Sequence, residues 1–496
     1  MKSYTVQLLP LGKEVKVNEG APLIDVLHEY GIEFPCGGKG RCGKCRVKLL
    51  EGEIGMTEIH RQKLEELGLS PEWRLACMSV CTGPLTLEAE QFNHLILADE
   101  SLFEFEPQEG FGIAVDVGTT TLVTQLLDLR SARVMAVETA LNPQVRYGAD
   151  VISRIAACLE GHGKEMKQLI RKSVGEMIEK MVGKQQVSPR KIVLVGNTPM
   201  QLIFSGEDVA PLSRYPFEVD DLGKRIFTPK ALGWNFLDED CRIVFMPSIG
   251  GFVGSDILAG IMATELYKKE RYTALIDLGT NGEIVVGNKD RIVCASTAAG
   301  PAFEGMNISM GMRAVTGAIS SVNTEGGKIK VTVIGNTQPR GICGSGLIDA
   351  VAVFRELGLI GTFGEITSGE GSLAVGGKVK LTQKDIYEFQ LAKAAVAAGV
   401  GILTEELSTD LSEVEEIYIA GGFGSYLNLR HVVETGMIET GEEKIRKMGN
   451  TALIGAKMFL YENEELMEEI LGKTHHIHPE SNPDFQDIYI DKMRFP

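Results

Sequence analysis

The stretch Cys36-Gly37-Gly38-Lys39-Gly40-Arg41-Cys42-Gly43-Lys44-Cys45 carries the marks of two different chemistries in one loop. From Gly38 through four residues to Gly43-Lys44 it follows the frame of a phosphate loop, G-x-x-x-x-G-K-[ST], except that Cys45 stands where a hydroxyl residue should be. The same residues space three cysteines as C-x5-C-x2-C, and Cys77 in "RLAC" offers a remote fourth thiol. A phosphate loop needs its hydroxyl for Mg2+, a strand leading in and a helix leading out. Here a helical pattern and Pro35 lead in and a strand-like run leads out, so the phosphate reading fails.

Three thiolates in one Gly-rich loop and one outside it form the ligand arrangement of a [2Fe–2S] ferredoxin, although the plant-type spacing has four residues in the first gap and this loop has five. Gly37, Gly38, Gly40 and Gly43 fit that reading, because the backbone must curl round the cluster and aim N–H groups at its sulfurs. Zinc sites usually show two C-x2-C pairs, and this loop has one. Cys36, Cys42, Cys45 and Cys77 are therefore the expected ligands, with Cys81 a competitor for the fourth place. Lys39, Arg41, Lys44, Arg46 and Lys48 make the loop basic, which offsets an anionic cluster or helps dock an acidic partner face.

A second chemistry lies further along. "IAVDVGTTTLVTQLLD" (residues 113–128) and "ALIDLGTNGEIVVGN" (residues 274–288) each place an Asp at the end of an apolar strand, then Gly-Thr, then a second strand. Gly118 and Gly279 permit a tight turn, and the amides that follow, with Thr119, Thr120, Thr121, Thr280, Asn281 and Gly282, can donate to phosphate oxygens. Asp116 and Asp277 would face those phosphates and hold Mg2+ through water. One such hairpin is weak evidence, but two copies a domain's length apart indicate a duplicated α/β unit facing itself across a cleft. "EIYIAGGFGSYLN" (residues 416–428) runs from a strand into Gly421-Gly422-Phe423-Gly424, where bare backbone suits an adenosine.

The elements that must position these residues divide the chain of 496 residues. Residues 1–90 show strand, strand, helix, loop, strand, the order of a β-grasp unit; residues 91–110 are irregular and acidic and read as a linker. Residues 111–270 and 271–496 are the two expected lobes. A net charge of −17 argues against nucleic acid as a partner. The chain has nine cysteines, and five of them, Cys81, Cys158, Cys241, Cys294 and Cys343, stand singly, as in a reducing cytoplasm. The alternating, charged beginning is no signal peptide, and no uninterrupted apolar run is long enough for a membrane span. A soluble cytoplasmic protein is expected.

The trio of phosphate-1, phosphate-2 and adenosine segments resembles the acetate and sugar kinase, Hsp70 and actin superfamily, in which ATP lies between two ribonuclease-H-like lobes. "KIVLVGNTPM" (residues 191–200) looks like its first connecting segment. With the N-terminal cluster domain, the whole chain resembles the ATP-dependent reductive activators of corrinoid proteins. The stretches "NPQVRYGADVISRI", "GGFVGSDILAG", "AAGPAFEGMNI", "GICGSGLIDAV" and "MRFP" fit that resemblance. It implies an α+β N-terminal β-grasp ferredoxin domain followed by a duplicated α/β (ribonuclease-H-like, actin/Hsp70-type) ATPase domain, without the middle domain of longer members. It also implies a [2Fe–2S] cluster, ATP and Mg2+ as cofactors, a low-potential electron donor, and a corrinoid protein whose cobalt is returned from Co(II) to Co(I). Self-association into a homodimer stays open.

Three residue groups have a plain reading beside a functional one. Asp150 orients the attacking water, or caps the helix that follows it, and Asp256 is a similar case. Gly344-Ser345 opens a helix and would touch ribose or phosphate. His475, His476 and His478 read as a solvated turn. Two other functions stay open: an ATP-gated electron donor to another reductase or dehydratase, and a small-molecule kinase with a regulatory cluster. A plant-type cluster sits near about −400 mV. Each 59 mV of deficit costs roughly tenfold in a one-electron equilibrium, so a lower-potential acceptor requires coupling to ATP.

Overall fold

The structure, a computed structural model, describes residues 2–9, 13–28, 45–67, 69–89, 103–148, 150–279, 281–305, 307–312, 314, 317–369, 371–421, 427–461 and 464–496. Cys36, Cys42 and the basic residues between them, Thr280, and Gly422 to Gly424 lie outside these.

Five strands make the N-terminal sheet: β1 (Ser3–Leu9), β2 (Lys13–Asn18), β3 (Arg46–Glu51), β4 (Trp73–Leu75) and β5 (Leu85–Ala89), in the order β2-β1-β5-β3-β4. β1 pairs antiparallel with β2 and parallel with β5, the central pairing of a β-grasp fold. Alternation along β1 turns Val6 and Leu8 inward onto Leu23 and Leu27 of the helix Leu23–His28. Thr57 caps the helix Glu58–Glu66 by accepting from the His60 amide.

The two larger sheets repeat one topology. The first comprises β6 (Phe111–Val117), β7 (Thr121–Asp128), β8 (Arg133–Leu141), β9 (Pro189–Val195), β10 (Arg225–Phe227) and β11 (Arg242–Phe245), ordered β10-β11-β9-β6-β7-β8. Before the second sheet continues, its lobe inserts β15 (Ala318–Glu325), β16 (Lys328–Val333), β17 (Gly341–Ile342), β18 (Ser372–Gly376) and β19 (Val379–Thr382). That second sheet comprises β12 (Thr273–Leu278), β13 (Gly282–Gly287), β14 (Ile292–Thr297), β20 (Glu416–Ala420), β21 (Ile445–Gly449) and β22 (Thr474–His476), ordered β21-β20-β12-β13-β14-β22. In each sheet an antiparallel three-strand meander is followed by two strands parallel to its first member. β6 and β12 are buried along their middles, and Asp116 and Asp277 are half-buried positions one residue before their C-terminal ends.

Two helices join the lobes. Ser255–Ala263 and Thr451–Tyr461 pack face to face, and a side chain at Gly455 would collide with the Ala259 carbonyl. Thr451–Tyr461 follows β21 in sequence but lies on the first lobe: Lys191 donates to the Phe459 carbonyl at 2.6 Å, and Leu460 covers Gly112. One apolar core therefore runs through both lobes, from Ala114 and Val193 through Leu258 and Leu453 to Leu275 and Val285. The end of the expected linker is pinned to the same helix, where Phe103 and Phe105 set their rings 5.8 and 5.0 Å from that of Tyr461.

Among the described residues one helix, Gln383–Glu406, is long and apolar enough to cross a membrane. It is mostly buried inside the second lobe and begins with a capping box between Thr382 and Asp385, as a core helix does.

The N-terminal domain meets the first lobe through a shared carboxylate. Glu138 on the edge strand β8 is buried; one oxygen lies 3.4 Å from Lys13 of the N-terminal sheet and the other 2.9 Å from Lys180 of its own lobe. Lys13→Glu should weaken this docking by on the order of 1 kcal/mol, because a partly exposed ion pair becomes a repulsion. Small-angle scattering should then show a larger radius of gyration, and raised salt should expand the parent protein in the same direction.

Candidate functional site

Cys45 is buried, and its Sγ lies 3.3 Å from that of half-buried Cys77, with no disulfide between them. Two thiolates on one tetrahedral metal, each about 2.3 Å from it, stand about 3.7 Å apart, so this pair fits a shared iron with a small opening. The Ala76 amide donates to the Cys45 carbonyl at 3.0 Å and so ties the two ligand segments together. Cys81 faces elsewhere: its thiol points at the Gly83 carbonyl, and burial pushes its pKa up, away from the thiolate a metal needs. Buried His60, whose pKa burial lowers, accepts the Leu75 amide at 3.0 Å and steadies the strand leading to Cys77.

The phosphate-1 hairpin joins β6 to β7. A Cβ on Gly118 would lie 2.5 Å from the Thr121 carbonyl, so the turn closes only with glycine. Its carbonyls are all tied back: Gly118 O accepts from Asn142 Nδ2 at 2.9 Å, Thr119 O from Arg154 Nη2 at 2.6 Å, and Thr120 O from the Asn142 amide at 2.9 Å. In a planar trans peptide the N–H points opposite to its C=O. The amides of Thr119, Thr120 and Thr121 therefore point away from the donors that hold these carbonyls. Asn197 fixes the Thr119 hydroxyl at 2.9 Å while capping the helix Thr198–Ser205.

The second hairpin is built alike. The Gly279 amide donates to the Asn281 carbonyl, and Thr297 Oγ1 donates to the Gly282 carbonyl at 2.9 Å. Gly421, at φ +95°, lies so close to this hairpin that a side chain would strike the Leu278 carbonyl and the Asp277 carboxylate. The adenosine segment thus starts in contact with the phosphate-2 strand.

Four carboxylates gather between the hairpins. Asp116 is pushed up to about 6 by burial, against an opposing bond from Asn450 Nδ2 at 2.8 Å. Asp277 is raised to about 7 by burial and by the charge of Asp116; Asp256 reaches about 8 through burial and the charges of Asp277 and Asp116. Glu283 is raised as well, by burial and then by Asp256 and Asp277. All four keep some solvent-accessible surface, so water reaching them moderates these shifts. Among the described residues no three acids, histidines or cysteines enclose a metal by themselves, so an Mg2+ here would draw its remaining ligands from phosphate and water.

The duplication is not exact where it matters. Asp116 pairs across its hairpin with Val123, whereas Asp277 pairs with Glu283, two like charges directly opposite each other. Glu283 and Asn450 were not among the sequence candidates. A lone acid in the apolar run after Asn281 is the signal that marks Glu283; nothing local marks Asn450.

Two expectations need correction. Asp150 accepts from the Ser153 amide and hydroxyl, both at 2.8 Å, so its two oxygens are engaged in capping the helix Val151–Ala157 and not in orienting a water. Gly344 and Ser345 open the helix Gly344–Glu356 and are buried, and the Ser345 hydroxyl donates to the Ser320 carbonyl at 2.9 Å. The histidines are no solvated turn: β22 pairs with β14, His476 rests on Gly250, and burial with the neighbouring His478 lowers its pKa to about 4.

A cluster-binding β-grasp domain joined to two ribonuclease-H-like lobes defines an iron–sulfur protein with an actin/Hsp70-type ATPase. Comparison agrees segment by segment. Residues 6–82 match the 2Fe-2S iron-sulfur cluster binding domain, residues 111–269 the RACo middle region, and residues 271–496 the C-terminal domain of RACo, its ASKHA domain. The first lobe is thus the region that the family calls its middle. The corrinoid activation enzyme RamQ of Eubacterium limosum is 32% identical over 589 residues, covering 98% of both chains. A [Co(II) methylated amine-specific corrinoid protein] reductase of Methanosarcina barkeri is 26% identical, covering 78% of this chain and 77% of its own. A solved reductive activator for corrinoid, iron-sulfur protein superposes with a TM-score of 0.68 at 27% identity, covering 99% of this chain and 98% of that one. The chain belongs to this family of corrinoid activators.

Two predictions follow from the geometry. Cys77→Ser should abolish the visible spectrum of a [2Fe–2S] protein while Cys81→Ser keeps it. The raised carboxylates mean that the folded protein binds more protons than the unfolded one between about pH 4 and pH 8, so nucleotide-free stability falls as pH rises through that range. Asp256→Asn removes one ionisation and should melt about 2–4 °C above the parent at pH 8.5, with the gap closing by pH 5.

Proposed function

We propose that this chain is an ATP-dependent reductive activase that passes one electron from its [2Fe–2S] cluster to a corrinoid protein, returning Co(II) to Co(I) at the expense of ATP hydrolysis. The observation that carries the reading is the union, in one chain, of the Cys45–Cys77 pair with two facing Asp-Gly-Thr hairpins whose carboxylates sense one another. The cluster, held by Cys36, Cys42, Cys45 and Cys77, supplies a one-electron carrier that a low-potential donor refills.

The nucleotide is received by backbone. Amides of Thr119, Thr120 and Thr121 meet one part of the phosphate chain, and Gly279, Thr280, Asn281 and Gly282 the other, with Gly421, Gly422 and Phe423 against adenosine. Asp116 and Asp277 would hold Mg2+, which would supply positive charge to the phosphates. Glu283 and Asp256, the acids nearest those two, are placed to orient the water that takes the γ-phosphate, the role Asp150 does not fill.

Coupling follows from the same charges. Without Mg2+ and phosphate, facing carboxylates resist closure of the lobes; with them, each hairpin gains a counter-charge and the lobes close about the paired helices Ser255–Ala263 and Thr451–Tyr461. The N-terminal domain rests on the first lobe through Glu138, so lobe movement is transmitted to the cluster domain. ATP shifts this equilibrium only by binding the closed state more tightly than the open one.

The test mixes the reduced protein with a Co(II) corrinoid protein and follows Co(I) absorbance with and without MgATP. Co(I) should appear only with MgATP, phosphate should be released to water with no small-molecule acceptor, and Asp277→Ala should suppress both by 100-fold or so, the loss expected when a principal electrostatic group is removed. Full-rate Co(I) formation without nucleotide would refute the coupling.

A further inference from the structure

Arg154, on the helix Val151–Ala157, is fully buried. Its guanidinium donates to the Gly148 carbonyl at 3.1 Å, Gln144 Oε1 at 3.2 Å, Met200 Sδ at 3.4 Å and the Thr119 carbonyl at 2.6 Å. Every one of these acceptors is neutral. Asp150 raises its pKa from a distance, but the oxygens of Asp150 are engaged by Ser153, and among the described residues no carboxylate lies within ion-pair distance of Arg154. Burial lowers the guanidinium to about 10, so it remains a cation at neutral pH.

A buried cation without a contacting anion is unfavourable, and neutral side chains could satisfy four neutral acceptors. The charge therefore needs a reason beyond holding the loop. Its shortest bond supplies one. Thr119 O and the Thr120 N–H are two ends of a single peptide group, so a cation on the oxygen polarises the N–H on the far side toward whatever that amide meets. The cleft otherwise presents Asp116, Asp256, Asp277 and Glu283 to an incoming polyanion.

We infer that Arg154 is a positioning residue for the polyphosphate of the nucleotide: it fixes the phosphate-1 hairpin from behind and lends it positive charge through the Thr119–Thr120 peptide. This rests on the reading of the cleft as an ATP site. The effect must grow with the number of phosphates and vanish for a ligand that has none. A purely structural arginine would instead weaken all ligands alike.

The experiment titrates adenosine, MgADP and MgATP into the cluster-loaded full-length protein and its Arg154→Met, Arg154→Gln and Arg154→Lys variants by calorimetry, alongside thermal melts. The parent should bind MgATP more tightly than adenosine. Arg154→Met and Arg154→Gln should lose tenfold or more for MgATP, less for MgADP, and under twofold for adenosine, and Arg154→Lys should recover part of the MgATP loss. Where one variant fails to fold, the ratio of MgATP to adenosine affinity in the remaining ones decides. Equal losses for all three ligands, or a lysine variant no better than glutamine, would overturn the inference while leaving the ATP site intact. A parent with no preference for MgATP over adenosine would overturn both.

Discussion

The structure depends on a repulsion. Asp116 and Asp277 end equivalent strands of two facing lobes, and Asp256 and Glu283 add to the same pocket of negative charge. Such a cluster is unfavourable while its members are ionised, and it becomes favourable when protons, or a divalent cation with phosphate, lie among them. The hairpins are arranged for the second remedy. Three carbonyls of the first are bound by Asn142 and Arg154, which leaves the amides of the same peptide groups pointing the other way.

What that repulsion can move is set by packing. The lobes share one apolar core through two packed helices that meet closely at Gly455. Asn450 belongs to the second lobe's chain, caps the helix Thr451–Tyr461, and also bonds Asp116 of the first lobe, so this contact between the lobes reaches the carboxylates themselves. On the far edge of the first lobe, buried Glu138 connects the cluster domain to that framework.

Much of this was legible in the sequence, and the parts that were not share a cause. The Asp-Gly-Thr echo announced the duplication because a tight turn after a buried strand needs its glycine, and Gly118 and Gly279 supply it locally. The cysteine spacing announced the cluster for the same local reason, and the structure favours Cys77 over Cys81 only through a cross-strand distance. Arg154, Asn142 and Asn450 act on residues distant in sequence, so nothing beside them revealed their partners. Distance along the chain also misled for His476, which β22 carries back to Gly250. For Asp150 the plain reading as a helix cap was the right one.

If the cation is what reconciles the carboxylates, MgATP, and not ATP alone, should draw the lobes together. Spin labels attached by non-cysteine chemistry at exposed Lys172 and Lys328, one on each lobe, would report the distance between lobes by pulsed dipolar spectroscopy. The account predicts a shorter and narrower distance distribution with MgATP than with ATP and EDTA or with no nucleotide. The same distribution in all three conditions would contradict it.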